Sequence, residues 1–277
     1  MSLFQAIVLG IVQGVTEFAP VSSSGHLILV PWLFGWSILN NPSLNKTFDV
    51  ALHFGTFVGV VVYFRPRIVT LLAGLRRLLA RWKIEGDPER KLALMVIIST
   101  IPGGALGFKA GDVIEERLGS AALVAALTVA FGVVLWAADR WGRKVRALRQ
   151  YSWGDSVAIG LAQAAALVPG VSRSGITMTT ALGLGSEREA AAYYSFLISI
   201  PLIGGAVADK LLKLARSGLP PGMTAPFAAG TLAAAVSGYL CIRFLLRYLQ
   251  RRSLAPFAWY RVVIGLALLG WALHRGA

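Results

Sequence analysis

Apolar runs separated by short polar breaks fill the chain, and their lengths fall into two kinds. Six runs are long enough to cross a bilayer as helices, at about 48–64, 92–110, 119–138, 190–209, 225–246 and 257–274. The remaining runs are short. Leu3 to Phe18 would make a helix of about 24 Å, less than the roughly 30 Å of a hydrocarbon core. Ala19-Pro20 ends it, a serine cluster follows, and a second short stretch runs from about Leu27 to Trp36. The stretches at about 154–170 and 175–187 repeat that plan around a second cluster. Each pair predicts a re-entrant helix-loop-helix that enters and leaves the membrane on one side.

The two pairs match residue by residue at an offset of 150. Gly10, Gln13, Val21, Ser22, Ser24 and Gly25 meet Gly160, Gln163, Val171, Ser172, Ser174 and Gly175. Three spans follow each pair. Three is odd, so the second copy enters from the opposite face, as in the inverted repeats of many transporters. The expected fold is an all-α polytopic membrane protein: one domain over 1–277, an inverted repeat of about 3–138 and 154–274, six transmembrane helices and two re-entrant pairs.

Composition agrees with this class. Of 277 residues 56% are apolar and 14% charged, and the mean hydropathy is +0.66. The net charge of +14 raises the question of nucleic acid, but the basic residues sit between apolar runs, where anionic lipid head groups draw them. No nucleic-acid partner is expected. Arg65 to Lys91 carries eight Lys/Arg against three acids, and Arg140 to Arg149 is also basic, so both are placed in the cytoplasm. The acidic connection with Asp112, Glu115 and Glu116 is placed outside; Asp209 to Arg216 is a misfit, basic where the count wants the outer face. A lone cysteine, Cys241, excludes an intrachain disulfide, and Leu3–Phe18 lacks the basic start of a cleavable signal.

The chemistry gathers at the two interruptions. Gln13 and Glu17 are four apart and share a helix face. Glu17 reads either as an interfacial carboxylate or, beside a hydroxyl-rich loop, as a metal ligand or general base. Ser22, Ser23 and Ser24 exceed what a helix cap needs, and with Gly25 they suit an anion at a helix N-terminus. His26 stands three residues after Ser23, within reach to activate its hydroxyl or protonate a leaving group. His53 and His274 lack such company and read as structural. Arg173, among Ser172, Ser174, Gly175 and Thr177, is costly at membrane depth. It either pairs with Glu17 or offers its planar fork to phosphate oxygens. Two converging anion-binding turns suit a substrate with two phosphates.

Two long motifs carry a family resemblance: Gln13-Gly14-Val15-Thr16-Glu17-Phe18-Ala19-Pro20-Val21-Ser22-Ser23-Ser24-Gly25-His26 and Pro169-Gly170-Val171-Ser172-Arg173-Ser174-Gly175-Ile176-Thr177. With lesser echoes at Ser195-Phe196-Leu197, Pro256-Phe257-Ala258 and Tyr260-Arg261, the chain resembles the bacterial undecaprenyl-diphosphatases, or bacitracin-resistance proteins, nearly end to end. The resemblance implies a phosphoanhydride hydrolase of the inner membrane that converts undecaprenyl diphosphate to undecaprenyl phosphate and phosphate, recycling the lipid carrier of peptidoglycan synthesis. It implies a divalent cation, Mg²⁺ or Ca²⁺, at Glu17 with Gln13. Ser23 would be nucleophile or phosphate ligand, His26 the acid/base, and Arg173 the diphosphate clamp. Ser22, Ser24, Gly25, Ser172, Ser174, Gly175 and Thr177 would line the substrate site. Gln13 departs from relatives with Glu there, which leaves the carboxylate work to Glu17. Attack by Ser23, by His26 or by metal-bound water all stay open, as does pairing into a homodimer. A polyprenyl-phosphate flippase or inverted-repeat transporter is the competing reading, because broken helices are also transporter architecture.

Overall fold

The computed structural model describes residues 1–36, 41–81, 87–219 and 221–275. Among them the chain forms ten α-helices in two series of five. The first series is α1 (Leu3–Phe18), α2 (Ser23–Leu33), α3 (Pro42–Arg81), α4 (Pro88–Leu118) and α5 (Ala121–Trp141). A 3₁₀ turn at Leu148–Gln150 leads to the second: α6 (Trp153–Ala165), α7 (Arg173–Gly183), α8 (Arg188–Ser217), α9 (Thr224–Leu249) and α10 (Ala255–Arg275). Both series read short, short, long, long, long. The six long helices are apolar and long enough to span a membrane.

Local chemistry sets the boundaries. Ser2 and Gln5 form a reciprocal capping box at the start of α1. Ala19, held extended ahead of Pro20, ends it at Phe18 as expected. Asp87 accepts from the Glu89 and Arg90 amides, with Pro88 in the first helical turn, so α4 begins there. Two connections expected to be loops are instead helical. Helix α3 takes in the stretch from Pro42 to Thr47 and runs through the basic segment to Arg81, while α4 carries the acidic segment to Leu118. Pro66 lies inside α3 without ending it. Ser37–Asn40 of the polar loop and residues 82–86 of the basic one fall outside the described residues. Helix α2 also starts earlier than expected, at Ser23 rather than Leu27, so the serine cluster is its first turn.

Partners are exchanged between the series. Helix α1 packs along α9 and α6 along α4; α3 packs on α9 and α8 on α4; α3 meets α8, and α5 meets α10. Swapping the two series leaves this set of pairings unchanged. Helix α8 is the most enclosed span, with 61% of its apolar window buried against 28% for α3, α5 and α10, so it forms the middle of the bundle.

The short helices approach their partners through glycine. A Cβ on Gly160 would lie 2.7 Å from Ser99 Cα of α4, and one on the equivalent Gly10 would run into the Gly230 carbonyl of α9. Small residues allow such backbone contact between apolar helices, where lipid offers no hydrophobic drive to associate. Gly14 is closed equally, since a Cβ there would sit 2.6 Å from both the Ala234 carbonyl oxygen and the Gly238 nitrogen. Gly14→Leu should therefore cost about 3 kcal/mol or more, read as a lowered thermal midpoint in detergent. Gly104 has nothing within 4 Å, so Gly104→Ala should be neutral or stabilise by roughly 0.5–1 kcal/mol. An unchanged midpoint for Gly14→Leu would show that α1 does not press on α9.

Candidate active site

Glu17, on the last turn of α1, is the centre of the site. Its carboxylate is 9% exposed, and each oxygen has its own partners. Oε1 accepts from Arg173 Nη2 at 2.8 Å, joining the two loops across 156 positions of sequence. Oε2 accepts from the Ser23 hydroxyl at 2.9 Å and from Gln13 Nε2 at 3.2 Å. The four-residue spacing of Gln13 and Glu17 thus does place both on one face. The internal Glu17–Arg173 pair is formed, yet it uses only half the fork: Arg173 Nη1 is buried without a partner. Gln13 Oε1 is likewise buried and unpartnered. One unused donor and one unused acceptor flank the carboxylate. Buried polar atoms are normally satisfied, so two orphans at one spot mark a place for a bound group.

The two loops share a backbone but differ at their helix starts. Ser22 and Ser172, 150 positions apart, have φ of 71° and 69°, a left-handed geometry that side-chain-bearing residues rarely adopt. Each hydroxyl reaches the serine two residues on, Ser22 to Ser24 at 3.2 Å and Ser172 to Ser174 at 3.4 Å. Ser172 Oγ also caps α7 by accepting from the Gly175 amide at 3.2 Å. No side chain caps α2. The first turn therefore has no amide taken by its N-cap side chain, whereas the second has one taken by Ser172. The two converging turns expected from the sequence thus differ in their first amides, and the second adds the Arg173 guanidinium.

The other second-loop residues serve the framework. Ser174 Oγ donates to the Ala19 carbonyl at 3.1 Å and ties the loops together. The Thr177 hydroxyl is buried against Ser195 Oγ at 2.7 Å and is committed to α8. A Cβ on Gly175 would stand 2.5 Å from Arg261 Nη1, so this glycine makes room for that side chain. Arg261 is wholly buried and donates to the carbonyls of Thr128 (3.2 Å), Gly170 (2.9 Å) and Val171 (3.0 Å), satisfying loop backbone that the helices cannot. Gly25 of the first loop is less confined, its nearest neighbour being Leu268 Cδ1 at 3.5 Å.

His26 does not engage Ser23. Its Nδ1–H donates to the Ser22 carbonyl at 2.7 Å, which leaves Nε2 to accept from the Tyr260 hydroxyl at 2.8 Å. In the first turn of a helix, three residues of separation places His26 beside Ser23, but the ring turns toward α10, where it stacks on Tyr260 with 5.5 Å between centroids. The hydroxyl it was expected to activate is held by Glu17. Two residues near the site were missed. Tyr260 carried only a faint signal, beside Arg261 in one of the lesser motifs. His53, read as structural, brings Nε2 to 3.7 Å from Glu17 Oε2, and nothing in its local sequence announced that.

The donor set suits a hard cation in part. Glu17 Oε2 is a carboxylate oxygen, and Gln13 Oε1 is an oxygen acceptor that lacks a donor. Among the described residues no three His, Cys, Asp or Glu side chains cluster, so any cation here would take much of its shell from substrate and water.

Comparison with known proteins follows the same residues. The family model described as bacitracin resistance protein BacA matches residues 6–267. An undecaprenyl-diphosphatase of Pelobacter propionicus is 46% identical over 270 residues, covering 97% of each chain. One from Geobacter sulfurreducens is 46% identical over 280 residues, covering 99% of this chain and 100% of its own. One from Desulforudis audaxviator is 45% identical over 278 residues and covers both chains completely. With its two interrupted loops meeting at Glu17 and Arg173, the chain belongs to the BacA family of bacitracin resistance proteins.

Proposed function

We propose that this protein hydrolyses the phosphoanhydride of undecaprenyl diphosphate, releasing inorganic phosphate and returning undecaprenyl phosphate to peptidoglycan synthesis from the bacterial inner membrane. The observation that carries the reading is the Glu17 carboxylate, which holds a hydroxyl on one oxygen and a half-used guanidinium on the other. A base, a nucleophile and an anion clamp are the parts a phosphatase needs. The relatives that match over the whole chain carry the name of the same activity.

Ser23 is the nucleophile this geometry favours. Its proton points at Glu17 Oε2, so the carboxylate takes it as Oγ bonds to the terminal phosphorus and the anhydride P–O bond breaks. Undecaprenyl phosphate leaves with that bonding pair. Glu17 gives that proton up to solvent, and its freed carboxylate then takes one from the water that bonds to phosphorus as the Oγ–P bond of the phosphoserine breaks, Oγ leaving with the bonding pair and regaining a proton. Arg173 Nη1 and the uncapped start of α2 receive the oxygens on which negative charge builds. His26 acts from behind, fixing the Ser22 carbonyl and through it the strained turn. A divalent cation such as Mg²⁺ or Ca²⁺, held by Glu17 with Gln13, would neutralise diphosphate charge and polarise the bond that breaks.

The same reading orients the chain. The second series is inverted relative to the first, with both loops opening toward the middle of the bilayer. The exchanged packing of α1 on α9 and α6 on α4, and the matched strain at Ser22 and Ser172, support it. Single cysteines in a Cys241→Ala background should label Arg76 and Arg149 positions from one face and a Glu116 position from the other. Labelling of positions 76 and 116 from the same face would refute the inversion.

Purified protein in detergent should release phosphate from undecaprenyl diphosphate, and a chelator should suppress it; transport, by contrast, needs two compartments. Glu17→Gln should lower turnover about 10³-fold, in the range for a lost general base, while Gln13→Glu should keep or raise it. Arg173→Lys keeps the charge but loses the fork, and should cost about 100-fold or more in phosphate release. Near-normal turnover by folded Glu17→Gln would remove the carboxylate from the chemistry.

A further inference from the structure

We propose that His53 is a ligand of the catalytic cation, which makes this a mixed oxygen–nitrogen site with a preference for Mn²⁺ and similar borderline metals over Mg²⁺ and Ca²⁺. The inference rests on the cation reading of Glu17 given above and adds a residue that this reading does not include. His53 comes from α3, outside the two loops.

Geometry carries the case. His53 Nδ1–H donates to the Asp49 carbonyl at 2.8 Å, one helical turn back. A carbonyl only accepts, so Nδ1 carries a proton, and in the neutral form of the ring the lone pair then lies on Nε2. That nitrogen faces Glu17 Oε2 at 3.7 Å. A lone pair opposite a carboxylate oxygen is repulsive unless a positive species stands between them. Imidazole ligands of metals commonly have this arrangement, one nitrogen donating to a backbone carbonyl and the other directed to the metal. A third donor is present: Gln13, in contact with Glu17 Oε2, has a buried amide oxygen with no partner. Arg173 does not compete for the position, because it occupies Oε1, the other oxygen of the carboxylate.

Glu17 Oε2 and His53 Nε2 then face one spot, and Gln13 adds an oxygen from the same face of α1. His53 is 38% exposed, so protein atoms do not fill the remaining positions, which water and substrate oxygens would take. An imidazole in the set shifts preference along the first-row series, away from the all-oxygen chemistry that Mg²⁺ and Ca²⁺ favour. The competing account is a charged imidazolium held by Glu17 as a plain ion pair, and it predicts no bond from nitrogen to metal.

Electron spin echo spectroscopy of Mn²⁺ bound to the detergent-purified protein, without a polyhistidine tag, separates these accounts. The parent protein should show modulation from a directly bound imidazole ¹⁴N. His53→Gln should lose that modulation and bind Mn²⁺ roughly tenfold more weakly or worse, while its Mn²⁺-over-Mg²⁺ preference narrows. His26→Gln should retain the modulation, which identifies the ring. Mn²⁺ bound with no ¹⁴N modulation, or modulation unchanged in His53→Gln, would overturn the assignment of His53 and leave the Glu17 site standing. Glu17→Gln binding Mn²⁺ as tightly as the parent would remove the cation from Glu17 altogether, and His53 with it.

Discussion

The ion pair between Glu17 and Arg173 joins the two halves at the point where both are weakest. Each half breaks a helix inside an apolar bundle, leaving backbone groups and polar side chains that lipid cannot satisfy. A carboxylate and a guanidinium buried separately would each cost several kcal/mol; placed 2.8 Å apart they offset one another. Removing either partner leaves the other charged and stranded, so structure and chemistry depend on the same contact. Because Arg173 commits only Nη2 to the pair, the contact also holds a donor in readiness.

Around this pair the interrupted backbone is satisfied by side chains from distant helices. Arg261 of α10 supplies three bonds to carbonyls of α5 and the second loop. Ser174 binds the Ala19 carbonyl of the opposite loop, and Cys241 of α9 donates to Val15 at 3.2 Å. The left-handed serines are the cost of turning sharply enough for α2 and α7 to begin at once, and backbone strain of this kind persists only where surrounding contacts over-determine it. The loops therefore form a rigid cradle fixed from several helices.

How much of this could be read from the chain varies with the range of the interaction. The end of α1 was legible because Ala19-Pro20 acts within a few residues. The Glu17–Ser23 contact, six residues apart, was within reach of motif reading. The helical extensions of α3 and α4 were not, because searching for apolar runs ignores polar residues that continue a helix beyond the membrane. Thr177 looked like a ligand by its motif, yet its hydroxyl is committed to Ser195 on a helix that the motif does not contain. His26 belongs with Tyr260, 234 positions away, so its orientation could not come from its spacing to Ser23. His53 bonds locally to Asp49 and shows its other face only when α3 lies beside α1.

The two copies diverge where their loops meet, and that divergence makes the site. At the first residue of the post-loop helix one copy has Ser23 and the other Arg173. Glu17 at the end of α1 corresponds to Leu167, just past α6, and His26 to Ile176. Where the loops meet, unlike groups are in contact: Glu17 of the first takes Arg173 of the second. Two loops of the first kind would bring two carboxylates and no arginine, and two of the second kind two arginines and no carboxylate, each charge raising the cost of the other. Divergence turns that repulsion into complementarity, with a base and hydroxyl from one copy and a cation from the other. Residues away from the meeting point feel no such pressure, and Gly10 and Gly160 there both admit a neighbouring backbone; at the loops only the backbone is shared, Ser22 and Ser172 both making the strained turn.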